Sequence, residues 1–244
     1  MKILTISLGV LSLLPMGSFA QTNVDLGTAE QAALLVGSGI TNVSAQTYII
    51  GGVGSFPTCT VTGLTQSQVK GPLYLKCSPN TAQAQKDLTV GYNQAAAAPC
   101  DTDLTGKDLG GMRLGPGVYC FSSSAGLTGT LTLDAQGNPD SQWIFQIGST
   151  LTTATNSTVA IVLGQPPPPW KNGLRGCNVY WQVGSSATIG TGSTYVGKIL
   201  ALTSITLNGG VLRGKALASN GAITMSAQET VDGPPCVKHP VAVF

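Results

Sequence analysis

The chain is poor in charge. Only 9 % of its 244 residues are Asp, Glu, Lys or Arg, against roughly 25 % in an ordinary soluble domain. Twelve basic and ten acidic side chains leave a net charge of +2, so no field draws nucleic acid or an anionic membrane to it. Histidine is scarce as well. The single one, His239, stands in the tail between Lys238 and Pro240, and residues 178–228 contain neither Asp nor Glu. Hydrolases and lyases need paired carboxylates or a base within reach of substrate, and metal sites need clustered ligands. These scarcities argue against catalysis, and no cofactor or metal is expected. Asp101, Asp103 and Asp108 form one small acidic group, which reads as turn chemistry, with weak calcium binding as the sharper alternative.

Apolar runs of spanning length are also lacking. Met1-Lys2, an apolar stretch from Ile3 to Leu14 and the small-residue ending Gly17-Ser18-Phe19-Ala20 have the layout of a secretory signal peptide. The stretch is shorter than the roughly 20 residues that cross a bilayer. Removal of residues 1–20 leaves one domain, 21–244, expected to be exported, extracellular and monomeric, with no membrane partner. An exported chain with six cysteines is expected to form disulfides. Fifteen pairings are possible and the sequence does not choose among them; the expected set is Cys59–Cys77, Cys100–Cys120 and Cys177–Cys236. Asn42-Val-Ser44 and Asn156-Ser-Thr158 are candidate glycosylation sites.

What the chain does have is glycine, 32 residues of it, with abundant Thr, Ser, Asn and Gln. That composition favours short strands and tight turns over long helices. One helix is expected over about 81–98, capped by Asn80 or Thr81 and stopped by Pro99. Ala84, Leu88, Tyr92 and Ala95 would lie near one face, with Gly91 as a weak point. The second half carries an internal repeat. Residues 182–190 (QVGSSATIG), 200–208 (LALTSITLN) and 218–226 (ASNGAITMS) align at a step of eighteen. The step places Trp181, Ile199 and Leu217 in one register. A fourth window, 146–154 (QIGSTLTTA), lies two steps earlier, with a proline-rich loop at 165–172 as the interruption. Period-two alternation inside each window marks strands, and a repeat of this length suits one turn of a parallel β-solenoid.

If Ala187/Ile189, Ile205/Leu207 and Ile223/Met225 point inward, their neighbours point out. The four windows then offer Thr150 and Thr152, Ser186 and Thr188, Ser204 and Thr206, and Ala222 and Thr224 on one face. Such a face repeats at about 6.7 Å along a strand and about 4.8 Å between strands. A flat, uncharged array of methyls and hydroxyls with those repeats is close to the oxygen spacing of an ice surface. The rotamer of Thr is stiff enough to hold such an array. Thr155, Thr191 and Thr194, at the following corner, form a secondary candidate.

The runs GVYCFSSSAGLTGTLTLDAQGNPDSQWIFQIGSTLTTA (117–154) and NVYWQVGSSATIGTGSTYVGKILALTSITLNGG (178–210) strongly resemble the microbial ice-binding proteins of fungi, bacteria and diatoms. AQAQKDLTVGYNQAAA (82–97) resembles that family's long helix. The resemblance implies a mainly β fold: a discontinuous right-handed parallel β-solenoid of triangular section, with one long α-helix packed alongside. It implies coils stacked out of chain order, so that a coil from 38–57 can separate the four windows. It also implies that the partner is an ice crystal surface, with thermal hysteresis and inhibition of ice recrystallisation as the outcome. The alternative is a surface adhesion or carbohydrate-binding solenoid. Its candidate stacking residues are Trp143, Trp170, Trp181 and Tyr195, although the repeat register puts Trp181 in the core.

Overall fold

The structure, a computed structural model, describes residues 23–74, 77–163 and 176–236. The signal peptide at 1–20, the loop at 165–172 with Trp170, and the tail beyond Cys236 with His239 lie outside the described residues.

Strands pair in parallel and wind around three sides of a single column. A 7-stranded sheet forms one side, and a 15-stranded sheet wraps the other two. The larger sheet turns a corner because the long strands Ser193–Ala201 and Gly210–Ala218 each contribute to both of its sides. The turn falls at Gly197 and Gly214, which are register partners with φ of +117° and +154°. A Cβ on Gly197 would stand 2.8 Å from the Trp181 indole nitrogen, so only glycine fits the bend.

Alternate strand residues fill the column with one continuous apolar core. At its centre, side chains stack level upon level. Phe145 lies over Trp181 at 3.9 Å between ring centroids and 7° between planes, with Tyr119 and Tyr195 beyond on either side. The Trp181 indole N–H donates to the Val196 carbonyl at 3.0 Å. The repeat register holds for Phe145, Trp181 and Ile199, then slips by one. Ile199 pairs with Ala216, while Leu217 pairs with Leu200 and faces the helix. Along these long strands the step is seventeen, and it returns to eighteen where Ile205 meets Ile223, a slip that alignment at a fixed step could not see.

The coils do not stack in chain order. Ala32–Val36, Gly39–Asn42 and Tyr48–Ile50 form an N-terminal coil that docks on the C-terminal strands Gly210–Ala218, Ala222–Met225 and Glu229–Asp232. A second N-terminal coil stacks beyond it. The four windows are direct neighbours, and the coil from 38–57 lies past the last of them, not among them. The expected discontinuity is present, at a different level.

A buried ionic clamp closes this junction. The Lys215 ammonium donates to the carbonyls of Glu30 (2.7 Å), Ala32 (3.2 Å), Gly233 (2.9 Å) and Pro234 (3.2 Å), so one side chain ties both ends of the described chain to the column. Glu30 also pairs with Lys198 at 2.9 Å and accepts the Cys236 N–H at 3.0 Å. Burial lowers the Lys215 pKa to about 8, against the opposing pull of Glu30. All three expected disulfides are formed: Cys59–Cys77, Cys100–Cys120 and Cys177–Cys236.

The helix spans Pro79–Ala96 and lies along the side of the column opposite the core interior. Its cap is Ser78, whose hydroxyl accepts the Thr81 N–H at 3.1 Å, in place of the expected Asn80 or Thr81. Thr81 is buried in the first turn and Pro79 fills the position where a missing N–H costs nothing. Gly91 has a packing reason. A Cβ there would meet the Leu26 side chain at 2.6 Å, so glycine lets segment 23–31 cross the helix closely. At the other end Gln146 donates to the carbonyls of Ala95, Ala96 and Ala98, satisfying acceptors that a helix terminus leaves open.

Candidate functional site: a charge-free threonine face

The 7-stranded sheet runs Ala125–Leu127, Leu151–Thr153, Ala187–Ile189, Ile205–Leu207, Ala222–Met225, Gly39–Asn42 and Val61–Thr62. No residue of these strands is Asp, Glu, Lys or Arg. The buried partners alternate as the sequence requires: Leu151, Ala187, Ile205, Ile223 and Ile40 point into the core.

Outward, one row is threonine throughout most of its length. Register pairs join Thr152 to Thr188, Thr188 to Thr206, Thr206 to Thr224, Thr224 to Thr41, and Thr41 to Thr62. Gly126 continues the row beyond Thr152, and a single bridge to Asp108 closes it. Thr152, Thr41 and Thr62 are exposed; Thr188, Thr206 and Thr224 are half-buried between their neighbours. Among the described residues, none of these six hydroxyls has an intramolecular hydrogen bond. They are available to an external lattice, and their stiff β-branched side chains hold that availability in a fixed direction.

The second row differs. Thr150, Ser186, Ser204 and Ala222 are there as expected, preceded by Ser124, but the hydroxyls of Ser124, Thr150, Ser186 and Ser204 are engaged. Ser124 and Thr150 bond each other at 2.8 Å, Ser186 bonds Thr203 at 2.7 Å, and Ser204 accepts the Ala222 N–H at 3.2 Å. All eight residues expected on this face are brought together on it, in two rows of different chemistry.

Sequence reasoning missed Thr41, Thr62 and Ser124. Thr41 had a signal: Gly39-Ile40-Thr41 repeats the pattern of Ala222-Ile223-Thr224. Its distance in the chain hid it. The secondary candidates separate. Thr155 and Thr191 are exposed at one corner, whereas Thr194 belongs to the third side, paired with Thr158 and Val211.

Other expectations need correction. Asn42 cannot carry a glycan in this fold. It is 5 % exposed, its amide donates to the carbonyls of Ser44 and Gly63, and it accepts the Thr47 hydroxyl at 2.7 Å. Asn156 remains exposed, at a corner with φ of +57°. Trp143, Trp181 and Tyr195 are buried in the core, so none forms a stacking platform for sugar. Asp103 and Asp108 serve turns, and Asp101 bonds across to the neighbouring strand. Asp101 accepts the Val118 N–H, Asp103 that of Thr105, and Asp108 those of Gly110 and Thr128. For Asp108, burial raises the carboxyl pKa, but these N–H donors outweigh it and hold the value below the usual range.

Similarity to known proteins agrees with this geometry. The family described as Ice-binding-like matches residues 34–231. An ice-binding protein of Nostoc sp. (strain HG1) is 47 % identical over 206 residues, covering 84 % of this chain and 72 % of its own. One from Colwellia sp is 32 % identical over 228 residues, covering 86 % and 84 %. The crystal structure of an ice-binding protein from an Antarctic biological consortium superposes with a TM-score of 0.76 at 35 % identity, covering 90 % of this chain and 95 % of the other. That of LeIBP, an ice-binding protein from an Arctic yeast, gives 0.76 at 31 %, covering 93 % and 100 %. The chain belongs to the ice-binding-like family.

Proposed function

We propose that this protein adsorbs to ice through the 7-stranded side of its column, with Thr152, Thr188, Thr206, Thr224, Thr41 and Thr62 as the contact row. One observation carries the reading: an unbroken ladder of threonines whose hydroxyls have no partner within the described protein. Strand spacing sets the ladder's repeat at about 4.8 Å. A methyl beside each hydroxyl keeps the surface from holding the mobile hydration shell that a charged group commands. Adsorption would then give thermal hysteresis and slow recrystallisation, with no chemical step. The protein would act outside the cell as a monomer, exported by the segment 1–20 and stabilised by disulfides that persist in oxidising surroundings.

Replacing Thr206 or Thr188 by Tyr tests the assignment. A ring standing on a flat contact prevents close approach of its neighbours. Thermal hysteresis should fall about ten-fold, as when a central contact worth ~1.4 kcal/mol is lost, while the circular dichroism melting curve stays in place. Hysteresis unchanged in both variants would remove this face from the mechanism.

A further inference from the structure

We infer that the two outward rows divide their work: the threonine row meets ice, and the hydroxyls of Ser124, Ser186 and Ser204 are positioning groups that hold the start of the neighbouring strand in place. The inference rests on the ice-face reading above and deepens it.

The same bond recurs along the stack. Ser124 Oγ accepts the Thr150 N–H at 3.4 Å, Ser186 Oγ accepts the Ser204 N–H at 3.3 Å, and Ser204 Oγ accepts the Ala222 N–H at 3.2 Å. Each donor sits where a strand of the 7-stranded sheet begins, so the hydroxyl takes the place of a backbone acceptor at the corner. Ser186 is tied further, to the Thr203 hydroxyl at 2.7 Å, and Thr203 also reaches Ser185 at 3.5 Å. Ser124 and Ser186, which accept an N–H and share a proton with a neighbouring hydroxyl, have little left for an external lattice. Two residues further along each strand, the threonine hydroxyls make no such bond among the described residues.

The consequence is geometric. A lattice match over many coils fails if any coil slides along its strand direction; the buried residues set that register. The bonds from Ser124, Ser186 and Ser204 to the start of the neighbouring strand reinforce it beside the threonine row. The relay ends at Ala222, where the stack passes to the N-terminal coil and the Lys215 clamp takes over.

The test compares Ser204→Ala, Ser204→Thr and Thr206→Val by amide hydrogen exchange and by thermal hysteresis. Ser204→Ala should speed exchange of the Ala222 N–H by roughly five-fold, the equivalent of a hydrogen bond of ordinary net strength. Hysteresis should fall less than in Thr206→Val. Ser204→Thr should restore the slow exchange. Thr206→Val should lower hysteresis and leave Ala222 exchange unmoved. If Ser204→Ala cuts hysteresis as deeply as Thr206→Val with Ala222 exchange unchanged, Ser204 is itself an ice contact and the inference is overturned. If neither Thr206→Val nor Thr206→Tyr alters hysteresis while Ser204→Ala still speeds exchange, the serine bond stands and the face assignment falls.

Discussion

Two sides of the column carry threonine ladders, and only one is free of charge. On the third side Thr130, Thr158, Thr194, Val211, Thr230 and Tyr48 form a row of register partners much like the row on the 7-stranded sheet. Its flanking positions hold Arg113 paired with Asp134 at 2.8 Å, together with Arg213, Asp232 and Lys70. Exposed Tyr48 rises from one end. Threonine alone is an ordinary strand residue, so a ladder of it says little. What separates the two sides is the neighbourhood: strands free of charged residues on one, and long solvated side chains on the other.

That contrast can be broken experimentally. The largest effect is expected from Thr188→Arg, which brings the third side's chemistry onto the 7-stranded sheet. Hysteresis should drop by at least about ten-fold, equivalent to ~1.4 kcal/mol of contact, with the melting temperature little changed. A retained response would show that charge is not the discriminating feature.

Next in size is a pH effect confined to the third side. Glu229 is buried there, and desolvation raises its pKa from 4.5 to about 7 despite the Gly209 N–H it accepts. Between those values the folded state binds more protons than the unfolded one, so stability is greatest below the lower value and is lost as pH rises through the higher. The difference is on the order of 3 kcal/mol, or a melting temperature higher by roughly 5–10 °C at pH 4.5 than at pH 7.5 for a domain of this size. Asp87, Asp103 and Asp134 are lowered from 3.8 and lie below this window. Glu229→Gln should flatten the curve. Hysteresis measured at saturating folded protein should not follow it, because the strands of the threonine face contain no titratable side chain.

Smaller effects sharpen the comparison. Thr206→Val, which removes one hydroxyl and keeps the shape, should reduce hysteresis about three-fold, within the ~0.5–1.5 kcal/mol of one hydrogen bond. Thr158→Tyr should change it least of all. A loss there as deep as that of Thr206→Tyr, measured side by side, would make the third side a contact surface too.

Much of this architecture can be read from the chain. The eighteen-residue step, the inward Ile and Leu positions and the outward Thr positions follow from strand periodicity, and the four windows that show them are neighbours in space. The helix was legible from its Ala, Gln and Leu content, although its start was misplaced because Ser78 and Pro79 precede the obvious periodic segment. Two things were hidden. Thr41 and Thr62 extend the threonine row only because the first coils dock on the last, a long-range pairing that no local pattern encodes. The different work of Ser186 and Thr188 depends on which hydroxyl lies within reach of the next coil's backbone, and that is set by the corner geometry rather than by residue type.

The docking of the first coils on the last also sets a clock for the chain's own assembly. Segment 32–50 leaves the ribosome well before the edge it seals, at 210–232. Until that edge emerges and is docked, the N-terminal coils have only each other and the growing column presents a raw parallel edge. Such an interval invites intermolecular strand pairing. Yield of this protein should therefore depend on chaperoning more than its final stability would suggest.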